Sequence, residues 1–298
     1  MPTADEKHAF LETLWEYYGA HGRHDLPWRQ PEPDGRFDAY KVMVSELMLQ
    51  QTQVPRVMPK YAAFLERFPT VHALASADLG DVLRTWQGLG YNRRAKFLWQ
   101  AAQMIDNMSH FPDTLEELVK LPGIGHNTAG AIMAYAYDQP AVFVETNVRT
   151  VYIHHFLHDR DDVTDKEILN LLQQTIFEGE GKEQPETLAL PKPGAMRKTV
   201  GLSHVEQPRE FYWALMDYGS YLKTQVGNPN KASKHYAKQS QFQGSRRQVR
   251  GQVLRALGEQ PMELAALQAL ITDERLESVL NDLVQEGLIR LKGSSYSL

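Results

Sequence analysis

One acidic residue in an apolar stretch has the surroundings of a proton donor. Glu46 lies within residues 42–49, which read VMVSELML and place apolar side chains at helical spacing. Burial disfavours the charged form of a carboxylate and raises its pKa, so that the protonated form is available as an acid. From these residues alone, a surface glutamate on a half-buried helix is the preferred interpretation.

A pair of glycines gives the most specific pattern in the chain. Residues 121–125 read LPGIG, and HNTAGAI follows. Gly123 permits a tight turn that other residues avoid, and Gly125 lets the chain approach a ligand closely. The N–H groups and positive dipole end of the next helix would then face a phosphate. The pattern predicts a helix-hairpin-helix that binds one DNA strand without reading its sequence. An ordinary helix–turn–helix connection is the alternative.

Positive charge is concentrated in one stretch of an acidic protein. The formal net charge is −5, yet residues 221–256 contain eight basic residues and no aspartate or glutamate. Clustered cations can neutralise phosphates. The interleaved His235, Tyr236 and Phe242 favour DNA contact over a solvated linker. The basic residues are Lys223, Lys231, Lys234, Lys238, Arg246, Arg247, Arg250 and Arg255.

The composition is that of a globular protein without cysteine chemistry. The 298 residues are 42% hydrophobic and 23% charged, and they include no cysteine. Disulfides, thiolate catalysis and cysteine-ligated metal centres are therefore excluded. No run approaches the roughly 18 apolar residues of a membrane span, and the N-terminus lacks a signal-peptide pattern. We expect a cytoplasmic, nucleoid-associated protein.

Apolar residues recur at helical spacing through most of the chain, which predicts an all-α main body. Residues 179–209 are rich in proline and show little periodicity, which predicts an inserted loop. The predicted helices cover residues 9–18, 40–50, 61–68, 79–86, 93–108, 128–137, 147–157 and 211–221.

The last part of the chain, residues 245–298, has a different pattern. Three short amphipathic helices at 247–257, 262–271 and 274–286 precede a hairpin at 288–298. Three helices with a two-stranded wing predict a winged-helix-like module. Acidic residues offset the one arginine of its third helix, so packing against the rest of the protein is favoured no less than DNA binding.

Several motifs together resemble the helix-hairpin-helix (HhH-GPD) superfamily of endonuclease III and MutY. LPGIGHNTAGAI at 121–132 is followed by AYAYDQPAVFVETNVRTV. Upstream, LPWR at 26–29, YKVMVSELMLQQTQVPRV at 40–57 and WQGLGYNRRAKFL at 86–98 are similar to the adenine glycosylases in particular. The resemblance covers roughly residues 5–222 in the same order.

The resemblance implies a two-lobed all-α fold. Residues 1–28 and 145–222, with the insertion 179–209, would form the lobe of N- and C-terminal helices. Residues 29–144 would form the six-helix barrel lobe that carries the hairpin. A basic segment at 223–244 and the winged-helix-like module at 245–298 would follow.

By resemblance, two acidic residues remove the base. Glu46 would protonate the adenine ring, and Glu145 would stabilise the cationic sugar. Asn147 would hydrogen-bond near the sugar or orient Glu145, although a helix cap is compatible with the same residue. Tyr137 falls where some adenine glycosylases have an active-site tyrosine, and a core aromatic is the alternative.

Glu145 departs from the family, which has aspartate at this position. The longer side chain could move the carboxylate by about 1 Å, a displacement that can cost roughly a hundredfold in rate. Three explanations stay open: the backbone has adjusted, the substrate differs, or the enzyme is slow or inactive on adenine. A functional Glu145 is favoured.

The resemblance also implies a set of DNA contacts. Tyr91 matches the wedge that relatives insert opposite a flipped nucleotide, and glutamines 50 and 51 would lie near the extruded base. Arginines 93 and 94 would bind nearby phosphates. The full set of expected DNA-binding residues is Arg29, Gln50, Gln51, Tyr91, Arg93, Arg94, Gly123, Gly125, His126, Asn127, Thr128, Lys223, Lys231, Lys234 and Lys238.

Two absences refine the expected function. Asn127 replaces the lysine with which bifunctional relatives form a Schiff base, so water should be the nucleophile. After MDYG at 216–219 the four cysteines of an iron–sulfur cluster are missing, as in clusterless members, and Lys223 through Lys238 would make the basic contacts instead. No cofactor is expected, although the hairpin could hold a monovalent cation.

The expected function is that of a monomeric, monofunctional DNA glycosylase on double-stranded DNA. It would remove adenine paired with 8-oxoguanine or guanine and leave an abasic site. We expect the short winged-helix-like module to stand in place of the family's Nudix-like reader of 8-oxoguanine, so two alternatives stay open. One is a glycosylase for another damaged or mispaired base, and the other is a non-catalytic damage-binding protein.

Overall fold

The computed structural model describes residues 2–177, 207–237 and 241–298. Most of the predicted insertion at 179–209, and the whole of Lys238, therefore lie outside the described residues. The chain divides into two compact units. The first consists of residues up to 37, 113–118 and 125–237, and the second of residues 38–112, 119–124 and 238–298.

Among the described residues of the first unit, the regular elements are helices, apart from one isolated parallel β-bridge between Val163 and Ser233. Helix α11 is its centre and packs against α1, α8 and α9. The helices are α1 (Ala4–His21), α7 (Leu115–Leu118), α8 (His126–Tyr137), α9 (Thr146–Phe156), α10 (Asp165–Phe177) and α11 (Pro208–Gln225), with 3-10 turns at Pro27–Arg29 and Pro229–Ala232.

Aromatic packing and a buried ion pair hold the first unit together. The rings of Phe143 and Tyr212 stack with centroids 3.9 Å apart, and the Tyr212 hydroxyl donates to the carbonyl of Ala141 over 2.6 Å. Asp217 on α11 accepts two hydrogen bonds from the Arg29 guanidinium, at 2.8 and 2.9 Å. Arg23 also donates to Asp217, so two arginines compensate the charge of this buried carboxylate.

The segment that follows α11 is fixed to α9 by a buried amide. The side chain of Asn230 is 1% exposed and donates to the Thr150 hydroxyl over 2.6 Å. Nearby, the backbone of Val163 accepts from Lys234 and donates to Ala232, both over 2.9 Å. The start of the predicted basic segment is therefore an ordered part of the first unit.

The second unit begins with five helices around a core that includes Trp86, Phe64 and Met43. Within it, α2 packs against α3 and α6, and α6 also packs against α4 and α5. These helices are α2 (Ala39–Leu49), α3 (Val54–Arg67), α4 (Val71–Ala75), α5 (Leu79–Trp86) and α6 (Arg93–Asp106).

The C-terminal module belongs to the second unit. Its three antiparallel strands have the order β1-β3-β2, and α12 packs against α14 and α5. The elements are α12 (Arg246–Glu259), β1 (Met262–Glu263), α13 (Leu264–Leu270), α14 (Leu276–Gln285), β2 (Arg290–Lys292) and β3 (Ser295–Ser297). The three helices and the hairpin are present, and β1 adds a strand to it. The winged-helix interpretation stays a prediction.

The all-α main body is confirmed, but the chain is grouped differently from the predicted lobes. Residues 29–37, 113–118 and 125–144, expected in the barrel lobe, fall in the first unit. The physical reason is packing, because α8 lies against α11. Residues 223–237 also join the first unit, and the module at 245–298 joins the second. Among the described residues, no helix combines the length and apolar character that a bilayer crossing requires.

Candidate functional site

Glu46 lies near the end of α2 in the second unit. Asp38 caps this helix by accepting from the backbone N–H of Tyr40 over 2.8 Å. Both chain neighbours of Glu46, Ser45 and Leu47, are buried, and Glu46 itself is half-buried. The structure therefore places the carboxyl on an apolar helix, as expected, while its role as an acid stays a prediction.

Arg94 ties the end of α2 to the loop at residues 88–91. One guanidinium nitrogen donates to the carbonyls of Leu47, Met48 and Gln50 at 2.6, 3.1 and 2.6 Å. The other donates to the Thr52 hydroxyl and to the carbonyls of Leu89 and Gly90 at 3.1–3.3 Å.

These contacts correct the prediction that Arg94 binds phosphate. The residue is 8% exposed, and its donors are used by the protein. Burial lowers its pKa to about 10, so the side chain is still a cation at neutral pH. Its neighbour Arg93 is exposed on α6 and stays a predicted DNA contact.

The loop at 88–91 has an unusual backbone. Gly88, Gly90 and Tyr91 have φ values of +93°, +71° and +48°. A left-handed tyrosine is uncommon and persists only where surrounding contacts hold it. Here the Arg247 guanidinium donates to the Tyr91 hydroxyl over 2.6 Å. The predicted wedge is thus a partly buried side chain in a strained, restrained turn.

Two further residues predicted to contact DNA follow α2. Gln50 ends the helix and is partly buried, whereas Gln51 is exposed and has a φ of +54°. The exposed polar turn is compatible with a DNA contact, and both residues stay predictions.

Gly123 is required by the hairpin for two reasons. Its φ is +76°, and a Cβ at this position would lie 2.7 Å from the Cβ of Phe97. At Gly125, the N-cap of α8, no atom lies within 4 Å of the place a Cβ would occupy. The tight turn at Gly123 agrees with the sequence-based expectation, and Gly125 leaves open space next to the helix N-terminus.

Asn127, at the start of α8, is exposed, so its expected DNA contact stays a prediction. Its amide nitrogen donates to the carbonyl of Val144 over 3.0 Å, and its amide oxygen accepts from the N–H of Val144 over 3.4 Å. Both ends of the side chain are thus used to hold the residue before Glu145. His126 is exposed, while the side chain of Thr128 is buried.

Glu145 is the N-cap of α9 and is partly buried. Burial raises the pKa of its carboxyl, against the opposing effects of the Arg149 charge and the backbone N–H of Thr146. Arg149 itself forms a bidentate ion pair with Asp165, with both contacts at 2.8 Å. The carboxylate that would face a cationic sugar therefore lies at a helix N-terminus near a fixed guanidinium, both of which favour its anion.

Asn147, two residues later, is held by one face of α11. Its amide nitrogen donates to the carbonyl of Met216 over 3.0 Å, and its oxygen accepts from the Lys223 ammonium over 2.6 Å. Between these residues, a Cβ on Gly219 would lie 2.5 Å from the Asn147 carbonyl oxygen. The missing side chain at Gly219 allows the two helices to approach at this point.

The structure also contradicts the prediction that the Arg29 side chain contacts DNA. It is 6% exposed and forms the bidentate pair with Asp217, so its side chain is a structural element of the first unit. Tyr137, the last residue of α8, is partly buried and stays a predicted active-site residue.

Several side chains of the basic stretch contact other residues of the protein. Lys223 contacts Asn147, and the ammonium of the exposed Lys234 lies 3.6 Å from Asp162. In the module, Arg246 and Arg250 form ion pairs with Asp282 and Glu286. Lys231 is exposed and stays a predicted DNA contact.

The segment after α11 does not fit a thiolate-ligated iron–sulfur cluster, because the chain contains no cysteine to supply the ligands. No step of the chemistry below is assigned to such a group.

Sequence reasoning missed the contacts of Arg247 and Lys223 because their partners are distant in the chain. Arg247 is 156 residues from Tyr91, and Lys223 is 76 residues from Asn147. Their presence in a basic stretch indicated phosphate contacts, and no local pattern identifies such partners.

The chain matches known repair proteins over most of its length. Residues 44–176 match the family model of the HhH-GPD superfamily base excision DNA repair proteins. The adenine DNA glycosylase of Mycobacterium tuberculosis is 34% identical over 285 residues, which cover 87% of this chain and 84% of that protein. The Buchnera aphidicola enzyme of the same name is 36% identical over 169 residues, 56% of this chain and 46% of its own.

A solved structure shows the same fold. The structure of a thermostable thymine-DNA glycosylase superposes with a TM-score of 0.53 at 19% identity, over 72% of this chain and 87% of the other. The family-model match and the identity to the Mycobacterium relative show that the chain belongs to the HhH-GPD superfamily of base excision DNA repair proteins, within its adenine DNA glycosylase family.

Proposed function

We propose that this protein is a monofunctional DNA glycosylase that removes adenine opposite 8-oxoguanine or guanine and leaves an abasic site. It would act as a monomer on double-stranded DNA. The observation that carries the proposal is the 34% identity to an adenine DNA glycosylase along 87% of the chain. The half-buried Glu46 and Glu145 at the start of α9 supply the residue types that the reaction needs.

The reaction begins when the adenine leaves the base stack. Glu46 transfers a proton to the adenine ring, and the bond between the base and C1′ then breaks with its electron pair going to the base. The Glu145 carboxylate stabilises the cationic sugar that remains. Water attacks C1′ and gives up a proton to a carboxylate, which yields the abasic site.

Strand cleavage is not part of the proposal. A Schiff base requires an amine near C1′, and the position of the family's lysine is taken by Asn127, whose amide is hydrogen-bonded to Val144. Borohydride should therefore trap no covalent adduct between the protein and an abasic site.

A second candidate is a glycosylase for another base, and Glu145 is the observation that favours it. The family has aspartate there, and the additional methylene changes the reach of the carboxylate. A panel of duplexes under single-turnover conditions separates the two. It would contain adenine opposite 8-oxoguanine, adenine opposite guanine, uracil, hypoxanthine and thymine opposite guanine. Release of another base without release of adenine would refute the adenine assignment.

The assignment of the acid is tested by substitution. Glu46→Gln should abolish excision while binding to abasic-site DNA persists, because the amide keeps the shape but cannot donate the same proton. Glu66→Gln, which changes an exposed glutamate on α3, is the matched control. A wild-type protein that binds damaged DNA tightly but releases no base would instead be a damage-binding protein.

A further inference from the structure

The C-terminal module is fixed to the helix that precedes the Tyr91 loop. Arg84 on α5 donates to the carbonyl of Gly258 over 2.9 Å, and the Gln87 amide donates to the carbonyl of Leu254 over 3.3 Å. A Cβ at Gly258 would lie 2.5 Å from that amide. The end of α12 therefore packs closely against the start of the loop.

A second attachment lies on the helix that follows the loop. The Lys96 ammonium on α6 donates to the carbonyl of Glu286, at the end of α14, over 2.5 Å. Glu286 also pairs with Arg250 of α12. The module thus contacts the helices on both sides of residues 88–91.

Between these attachments, Arg247 reaches the tyrosine itself. Besides the 2.6 Å hydrogen bond to the hydroxyl, its guanidinium carbon lies 5.3 Å from the ring centroid of Tyr91. The guanidinium of Arg94 lies 5.4 Å from the same centroid. Two cations and one charge-assisted hydrogen bond therefore restrict the orientation of this side chain.

The neighbours of Arg247 hold the helix from which it extends. Arg246 donates to Asp282 and to the Ser278 carbonyl of α14 at 2.6 and 3.0 Å. Ser245 caps α12 by accepting from the N–H of Gln248 over 3.3 Å. The first turn of α12 is thus anchored within the module, while Arg247 points to the loop.

We propose that Arg247 is a positioning residue that presets Tyr91 for insertion into DNA, and that the C-terminal module acts as a brace for this loop. The inference rests on the proposed function, in which Tyr91 is the wedge. A side chain that is already oriented loses less conformational freedom when it enters the base stack. The module then contributes to base extrusion through Tyr91, without contacting a base itself.

A double-mutant cycle tests the proposal. Arg247→Met removes the donor and the charge, and Tyr91→Phe removes only the acceptor and keeps the ring. Unstacking is followed by the fluorescence of 2-aminopurine next to the target adenine, and base release is followed in single turnover. We expect each single variant to slow unstacking about tenfold and the double variant to be no slower than either. Arg247→Lys, which keeps a donor, should restore part of the rate.

If the effects of Arg247→Met and Tyr91→Phe were independent, Arg247 would not act through Tyr91. If Arg247 bound phosphate, its substitution would weaken DNA binding and reduce the salt dependence equally with and without the Tyr91→Phe change. Gln252→Met, an exposed change on the same helix, is the control and should leave unstacking unchanged.

Failure of the proposed function and failure of the positioning role of Arg247 would give different results. Duplex unstacking without release of any base would refute the proposed function alone, because the fluorescence step needs no chemistry. Additive effects of Arg247→Met and Tyr91→Phe on unstacking, in a protein that excises adenine, would refute only the proposal that Arg247 positions Tyr91.

Discussion

The ammonium of Lys223 donates a hydrogen bond to the side-chain oxygen of Asn147 over 2.6 Å. The other end of the same amide donates to the carbonyl of Met216, which lies earlier on α11. Burial and the nearby charge of Arg149 lower the pKa of Lys223. A lysine taken from sequence as a phosphate contact is thus part of the support of the proposed active-site asparagine.

Substitution of Lys223 should therefore affect the chemical step. Lys223→Met leaves the Asn147 oxygen without its charged donor, and the loss of such a bond, about 1.5–3 kcal/mol, corresponds to a rate roughly ten- to a hundredfold lower. The measurement is single-turnover excision at saturating DNA, together with the dissociation constant at two salt concentrations.

The exposed Lys231 provides the contrast for this experiment. Lys231→Met should weaken binding and reduce its salt dependence, because each phosphate contact releases counterions. If Lys223→Met gave the same signature with an unchanged excision rate, Lys223 would be a phosphate contact after all.

The close approach of α11 and α9 predicts a stability effect. In Gly219→Ala the new methyl would meet the Asn147 backbone at 2.5 Å, so the helices must separate. We expect a loss of about 1–3 kcal/mol of unfolding free energy, measured by urea denaturation. Gly251→Ala is the matched control, since nothing lies within 4 Å of its added carbon. It sits inside α12, where alanine should be neutral or stabilise by up to about 1 kcal/mol. Equal losses in both variants would contradict the packing argument.

The adjacent arginines of α6 should have different roles, Arg94 in stability and Arg93 in DNA binding. Arg94→Lys cannot reproduce the fork that serves carbonyls of α2 and of the loop, and it leaves several buried acceptors unpaired. We expect a loss of about 3 kcal/mol or more in unfolding free energy. Arg93→Met should leave stability nearly unchanged and weaken DNA binding, with a salt slope smaller by about 1. A stable Arg94→Lys protein with only weakened DNA binding would reverse this assignment.

The sequence predicted the helices better than the hydrogen-bond partners of the charged side chains. Apolar residues at helical spacing identified helices such as α2 and α11, most of whose side chains are buried. Gly123 was also predictable, since a tight turn restricts the residue type. In contrast, Arg94 and Arg29 were predicted to contact DNA because sequence shows charge but not burial. Their partners come from backbone carbonyls and from Asp217, 188 residues from Arg29.

The predicted lobe boundaries differ from the bounds of the two compact units for a related reason. The hairpin is continuous in sequence, so α8 was placed with the helices that precede it. In the structure α8 packs against α7, which precedes it, and also against α11, which follows more than 70 residues later. Helix-to-helix packing over such separations leaves no periodic trace in one sequence.

The pH dependence of excision should reflect Glu145. Its anion is the form that stabilises the cationic sugar, and burial raises its pKa above the ordinary value for glutamate. The active form is therefore lost as the pH falls through this raised pKa, so the acid limb of the single-turnover rate should lie above the usual range for a glutamate. Arg149 lowers the same pKa, so Arg149→Met should move the limb to still higher pH. The variant also leaves Asp165 unpaired, and its folding is checked by thermal denaturation at each pH. A limb that moves to lower pH in a folded Arg149→Met protein would show that the rate follows a different group.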